Sequence, residues 1–203
     1  MVTRTPSELT ICLPGDLDDL QRRRSAELIF EAGRGYYDLI AAQRAVVEAQ
    51  IAKQIGQSGT ELENVFIVLA DSEVAGLHAC VSTEVLPYVM MEGSLRLIRG
   101  FESAVRKAFL ARLQQARPAL PSLPERSLYL ARMAVADGFR GGGIATLLME
   151  DFFRRRSYET SYCLHVLTEN ASAIGFYSRL GFESFGEERS GFQAMYRTPD
   201  EVG

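Results

Sequence analysis

Apolar side chains along this chain fall into runs and stripes that predict alternating strands and helices. Leu128 to Val135 is apolar throughout except at Arg132, the pattern of a buried strand. Ile144 to Phe153 carries its apolar residues at helical spacing, with Leu147, Leu148 and Phe152 as the core stripe, and predicts a helix through about Arg156. Between them stand a turn signal, Asp137-Gly138, and three successive glycines, Gly141, Gly142 and Gly143.

The flanking segments read in the same way. Leu9 to Leu13 predicts a first strand, ended by Pro14-Gly15. Asp16 then caps a helix to Glu31, with Leu17, Leu20, Leu28 and Ile29 as its apolar set. Tyr36, Ile40, Val47, Ile51 and Ile55 share one face of a second helix, about Tyr36 to Ile55. Asn64–Ala70 and Val74–Ser82 read as strands joined by a tight turn, with His78 opposite the face of Ala75, Leu77, Ala79 and Val81. Leu95, Ile98, Phe101, Val105, Phe109 and Leu113 mark one amphipathic helix, before Pro118, Pro121 and Pro124 break the chain. Ser161–Thr168 is another strand. A short helix follows, capped by Asn170 and ended by Gly181, and then a hairpin turning at Gly191.

The glycine-rich junction has a definite physical character. The first turn of a helix leaves about four backbone N–H groups without partners, and the helix dipole places roughly half a positive charge there. Glycines let the backbone approach a ligand closely. The junction is therefore a phosphate-sized anion cradle, and Arg140 at its lip adds a donor fork suited to phosphate oxygens. It is not a P-loop, which needs Gly-x-x-x-x-Gly-Lys-Ser/Thr. Nor is it Gly-x-Gly-x-x-Gly, because Thr146 stands where the third glycine belongs.

Arg140-Gly141-Gly142-Gly143-Ile144-Ala145 resembles the acetyl-coenzyme A signature of the GNAT N-acetyltransferases, Arg/Gln-x-x-Gly-x-Gly/Ala. Some 30 residues on, Asn170-x-x-Ala173-x-x-Phe176-Tyr177-x-x-Leu180-Gly181-Phe182 resembles the second signature of the same family. The resemblance covers roughly Asn64 to Tyr196. It implies a mixed α/β (α+β) fold with a central, mostly antiparallel sheet, splayed at the cofactor site after Val135 and flanked by helices. One domain over 1–203 is expected, with a helical insertion at about 87–126 serving as a lid, an acceptor-site wall, a dimer face or packing.

The resemblance also implies roles. Backbone groups of Met133, Ala134 and Val135 would pair with the pantetheine amides. N–H groups around Arg140, Gly141, Gly142, Gly143, Ile144 and Ala145 would hold the pyrophosphate, and Asn170 the cofactor arm. Tyr177 would act as general acid toward the leaving thiolate, and a backbone N–H near Val135 would polarise the carbonyl. The base is open among Glu92, Glu102, Glu84, His78 and a water chain. The implied reaction is acetyl transfer from acetyl-CoA, as co-substrate, to a primary amine on a small molecule. The alternatives are a non-catalytic acyl-CoA-binding module and a transferase using a longer acyl-CoA.

Composition narrows this only slightly. The chain has 203 residues, is 47% hydrophobic and 24% charged, and carries a net charge of −4, which does not favour nucleic-acid binding. It has no apolar run long enough to span a bilayer and no signal segment at its start, so a cytoplasmic protein without a membrane partner is expected. Cys12, Cys80 and Cys163 are far apart and read as buried thiols; with only His78 and His165, no metal site is expected. Arg22-Arg-Arg24 reads as a solvated helix surface rather than a phosphate patch. No Gly-x-Ser-x-Gly elbow suggests a covalent route. A homodimer is the default assembly.

Overall fold

The computed structural model describes residues 8–40, 42–116, 120–155 and 161–199. Seven strands form one sheet: β1 (Leu9–Cys12), β2 (Val65–Ala70), β3 (Glu73–Ser82), β4 (Ser127–Val135), β5 (Ser161–Leu167), β6 (Glu183–Arg189) and β7 (Phe192–Arg197). Their order is β1-β2-β3-β4-β5-β7-β6, antiparallel at every neighbour except β4–β5. The β2–β3 turn sits at Asp71 and Ser72, both with positive φ, as a two-residue hairpin of this hand requires.

The helices are α1 (Asp19–Ala32), α2 (Arg34–Tyr37), α3 (Arg44–Gln54), α4 (Leu86–Ile98), α5 (Ser103–Ala116), α6 (Ile144–Arg154) and α7 (Ala171–Arg179). Several differ from the sequence expectation. Helix α1 begins three residues later than Asp16, because Asp18 and Gln21 form a reciprocal capping box and Pro14–Asp16 makes a separate 3-10 turn. Leu20, expected in the core, is exposed; Ala26, Leu28, Ile29 and Phe30 are the buried set. The stretch read as one helix from Tyr36 to Ile55 is α2 and α3, yet Ile40, Val47, Ile51 and Ile55 are all buried. Arg22 is neither a solvated charge nor a phosphate ligand: its guanidinium bonds the carbonyls of Pro14, Ala52 and Ile55.

The segment between β3 and β4 holds two helices rather than one. Pro87 opens α4 in the first turn, where its missing N–H costs nothing. The chain breaks at Gly100, where a Cβ would meet the Gln50 side chain at 2.8 Å, and α5 starts afresh at Ser103. Pro118, expected to help break the chain, and Arg156, expected to end α6, lie outside the described residues.

The register assigns the two faces of the sheet. A Cβ at Gly76 would touch Ile144 and Leu148, and His78 bonds Asp151, so these β3 residues face α6. Met133, the partner of His78 across the ladder, faces the same way. Arg132, the partner of Ala79, therefore faces the other side, where its guanidinium lies over the rings of Tyr36 and Tyr37. One core packs α1, α3 and α5 with β2 and β3; a second packs α6 and α7 with β5 and β7.

His78 is fully buried, stacked on Phe66 and bonded through Nε2 to Asp151 Oδ2 at 2.8 Å. Burial lowers its pKa below 6.5 despite the opposing pull of Asp151, so it is a neutral donor. As pH falls below about 6.5, the unfolded chain takes up this proton before the folded one does. Stability is therefore complete above that pH and lost, at no more than about 1.4 kcal/mol per pH unit, as pH falls through the folded pKa. Burial would raise the Asp151 pKa, but bonds from His78 and Arg155 outweigh it, so its own contribution is lost only below 3.8. We expect thermal melting of His78→Gln between pH 7 and 5 to show a shallower acid slope than wild type. An unchanged slope would mean that His78 titrates alike in the folded and unfolded chain, and a steeper one that it is protonated in the fold.

Candidate active site

The parallel pairing of β4 with β5 covers only Ser127↔Ser161, Leu128↔Tyr162 and Tyr129↔Cys163. Beyond it the strands separate. The divergence was expected after Val135 and begins six residues earlier. The cause is local: between Ala79 and Cys80 the β3 register skips Ala131, so β4 carries a one-residue bulge there, which bends a strand away from its neighbour. At the same point β5 continues its pairing with β7, as far as Leu167↔Phe192.

The opened main chain has a direction. Ala136 N–H bonds Ala75 O, and bonded residues alternate along an antiparallel ladder. Ala134 and Arg132 therefore turn their amide groups to β3, whereas Met133 and Val135 turn theirs to the gap. Arg140 Nε, 3.4 Å from Val135 O, reaches that carbonyl from the open side. Of the three residues expected to pair with pantetheine, Met133 and Val135 turn their backbone groups to the gap and Ala134 turns its to β3.

At the mouth of the gap, Gly141 and Gly143 have φ of 81° and 84°, and Gly143 is the N-cap of α6 in left-handed geometry. No side chain caps this terminus, although Asp18 caps α1 and Asn170 caps α7. A Cβ on Gly143 would have nothing within 4 Å. The first-turn N–H groups of Ile144 and Ala145 thus open onto free space. Arg140 is exposed beside this terminus and pairs with Asp137 at 2.9 Å. Asn170 Oδ1 is committed to Ala173 N as the cap of α7.

A cavity of about 2200 Å³ runs through the gap, from Arg140, Val135, Asn170 and Tyr177 to Tyr36, Met90, Ser94 and Leu113 on the α1 face. Residues of α4 and α5 form part of its wall. Tyr177 directs its hydroxyl toward Met133 Sδ, 3.8 Å away. Burial, with a smaller push from Tyr129, raises its pKa to about 12, so it is a protonated donor at neutral pH.

Of the base candidates, His78 is sealed in the core, Glu92 is paired with Arg96 and lines a separate, smaller recess, and Glu102 is exposed outside this cavity. Glu84 alone of the four lines the large cavity. A buried pair of charges on the α1 side of β4 is one that sequence reasoning passed over. Glu61 and Arg132 are both buried, 3.6 Å apart, with Glu61 Oε2 and Arg132 Nε and Nη2 lacking hydrogen-bond partners. Burial raises the Glu61 pKa against the pull of Arg132. Arg132 stays charged because Tyr37, Glu61 and Tyr129 outweigh its own burial. Gly93 makes room for the carboxylate: a Cβ there would meet Glu61 Oε2. No sequence spacing links 61, 93 and 132; only Arg132 interrupting an apolar strand was a signal.

Among the described residues no helix is long and apolar enough to cross a membrane, and no cluster of His, Cys, Asp and Glu is placed to hold a metal. The three cysteines are buried thiols, none of them in a disulfide.

Residues 105–184 match the sequence model of the acetyltransferase (GNAT) domain, which takes in the glycine loop, α7 and Tyr177. No curated protein matches the chain. Solved structures do. One acetyltransferase superposes with a TM-score of 0.63 at 16% identity, covering 96% of this chain and 100% of that one. An N-acetyltransferase from Staphylococcus aureus Mu50 gives 0.60 at 18% identity, with 94% and 98% covered. A Bacillus subtilis acetyltransferase, solved in complex with CoA, gives 0.54 at 11% identity, with 95% and 100% covered. The chain therefore has the fold of these acetyltransferases, and its residues 105–184 resemble the GNAT domain in sequence.

Removing one partner of the buried ion pair leaves the other charged and unsolvated. Arg132→Met is expected to destabilise by about 3–5 kcal/mol in urea unfolding. The double change Arg132→Met with Glu61→Gln is expected to recover most of that. Equal losses in the single and double variants would show that packing, not charge, holds this site.

Proposed function

We propose that this protein transfers an acetyl group from acetyl-CoA to a primary amine on a small molecule. The observation that carries the reading is the β4–β5 gap, set between an uncapped glycine cradle at its mouth and the Tyr177 hydroxyl on its wall.

The residues fit the co-substrate. N–H groups of Gly141, Gly143, Ile144 and Ala145, with Gly142 between them and Arg140 at the lip, suit a pyrophosphate. The outward amide groups of Met133 and Val135 suit the pantetheine amides as an added strand. The Asn170 NH2, beside the gap, suits the same arm. Binding so far from the reacting carbon serves position: the thioester is held in the gap with its sulfur toward Tyr177. Tyr177 donates its proton as negative charge develops on that sulfur. The amine enters from the α1 face, where α4 and α5 wall the cavity, and this enclosure favours a small acceptor.

A second reading is a donor with a longer acyl chain, for which the α1-face end of the cavity, lined by Leu86, Met90, Leu113 and Leu120, offers apolar space. Titration calorimetry with acetyl-CoA and hexanoyl-CoA separates the two donors. Thiol release across a panel of amino acids, polyamines and aminoglycosides tests the transfer itself. We expect tight acetyl-CoA binding that is lost in Gly143→Glu, which puts a carboxylate at the cradle. We expect Tyr177→Phe to bind acetyl-CoA normally and to lose roughly 100-fold in kcat. Tight binding without thiol release for any amine would instead indicate a non-catalytic acyl-CoA module.

A further inference from the structure

The proposed reaction needs a group to take the proton of the attacking amine. Glu84 and Glu125 line the cavity as exposed carboxylates, and two uncharged, half-buried side chains line it where β4 and β5 part. Tyr129 is the last β4 residue paired with β5, and His165 lies on β5 two residues beyond its partner Cys163. They stand together on the floor of the gap. Their face follows from the register. Tyr129 pairs with Val81, on the same side as Ala79 and Arg132, and His165 alternates with Leu164 and Val166, which pack toward α6 and α7. The pair is thus on the α1 face, whereas Tyr177 packs with the core on the α6 face. All three are half-buried and line the same cavity.

The hydrogen bonds set the proton positions. His165 Nε2 is 2.9 Å from Pro121 O, a group that only accepts, so Nε2 carries the hydrogen. Nδ1 is then an acceptor, and the Tyr129 hydroxyl, 3.3 Å away, donates to it. Edge-on packing of the two rings holds this alignment. The Tyr129 oxygen keeps its lone pairs for a donor arriving in the cavity.

We propose that Tyr129 and His165 form the proton-accepting relay for the acceptor amine, with Tyr129 touching the amine and His165 acting through it. The inference rests on the acetyltransferase reading above. The neutral amine attacks the thioester carbon from the α1 face. The C–N bond forms and the C–S bond breaks. The nitrogen gives its proton to Tyr129 Oη, whose own proton passes to His165 Nδ1. The departing sulfur takes the proton of Tyr177 on the other face. The imidazolium and phenolate left behind are neutralised when one proton returns from His165 to Tyr177 through water.

The electrical surroundings agree. Burial lowers the His165 pKa, opposed by the Pro121 carbonyl, so the ring is neutral and able to accept near pH 7. Burial raises the Tyr129 pKa to about 12, so the phenol conducts a proton without ionising at rest. The other titratable or charged groups around the pair are Cys163, Tyr177 and the opposed charges Glu61 and Arg132, with Glu84, Glu125 and Arg126 along the cavity.

The test is the pH dependence of kcat/KM for the best amine of the panel, in wild type, Tyr129→Phe and His165→Gln. Far-ultraviolet circular dichroism and acetyl-CoA affinity serve as checks that each variant is folded. The relay predicts a loss of roughly 100-fold in kcat for both variants with acetyl-CoA affinity kept. It also predicts that the acidic limb belonging to His165 disappears in His165→Gln, with rate rising steadily with pH as hydroxide replaces the lost base. A folded variant that keeps wild-type kcat, or one that loses rate but keeps the wild-type limb, overturns the relay while leaving the acetyltransferase reading intact. If wild type acetylates no amine, that reading fails first and the relay falls with it. The two failures are thus distinguished by the wild-type lane alone.

Discussion

The separation of β4 from β5 after three paired residues is the constraint on which the rest of the molecule depends. A sheet that stops pairing in its middle exposes main-chain amides where no neighbouring strand can reach them, and unpaired amides away from water are costly. The fold therefore keeps the gap open to the surface as a cavity. The bulge at Ala131 starts the divergence, and pairing of β5 with β7 maintains it. The groups proposed to act on the substrates border the opening: the glycine cradle at its mouth, Tyr177 on one face, Tyr129 and His165 on the other.

A divided sheet needs cores on both sides of the division. The first closes over β2 and β3 with α1, α3 and α5; the second closes over β5 and β7 with α6 and α7. Strand β4 is shared, and its bulge lets Leu130 and Met133 both reach the second core while Arg132 enters the wall opposite. Burying that guanidinium beside Glu61 is not a source of stability in itself, since desolvation of the two charges offsets their attraction. Its effect is positional: with Tyr36 and Tyr37 stacked on it, Arg132 ties α2 to the centre of the sheet.

Legibility of the fold followed the range of the interactions. The glycine loop, the cap of α7 at Asn170, the left-handed Gly181 and the strands β2 to β5 are set by residues within a few positions of one another, and the chain displays them. Two helix boundaries were misplaced: Asp18, with Gln21, caps α1 in place of the neighbouring Asp16, and α4 ends before Gly100, which packs against the distant Gln50. The site divides the same way. Tyr177 and the cradle stand within contiguous motifs. The bulge at Ala131, the Glu61–Arg132 pair and the Tyr129–His165 contact join residues 36 to 71 positions apart or depend on strand register, so no local pattern announces them.

The distribution of charge across the site has its own logic. Around the gap, burial holds both phenols protonated, with pKa values near 12, and holds His165 neutral. The α6 terminus and Arg140 supply positive character at the mouth. An anionic handle is thus attracted to that end, while on the α1 face Arg132 is offset by Glu61 and the Tyr129–His165 floor carries no fixed charge. That separation matters for a thioester meeting an amine. A fixed cation beside the reacting carbon would repel an ammonium group and disfavour its approach, whereas a fixed anion would hold it protonated and unreactive. A neutral, hydrogen-bonded floor accepts the amine in its reactive form, and the distant charges supply affinity without altering the chemistry they position.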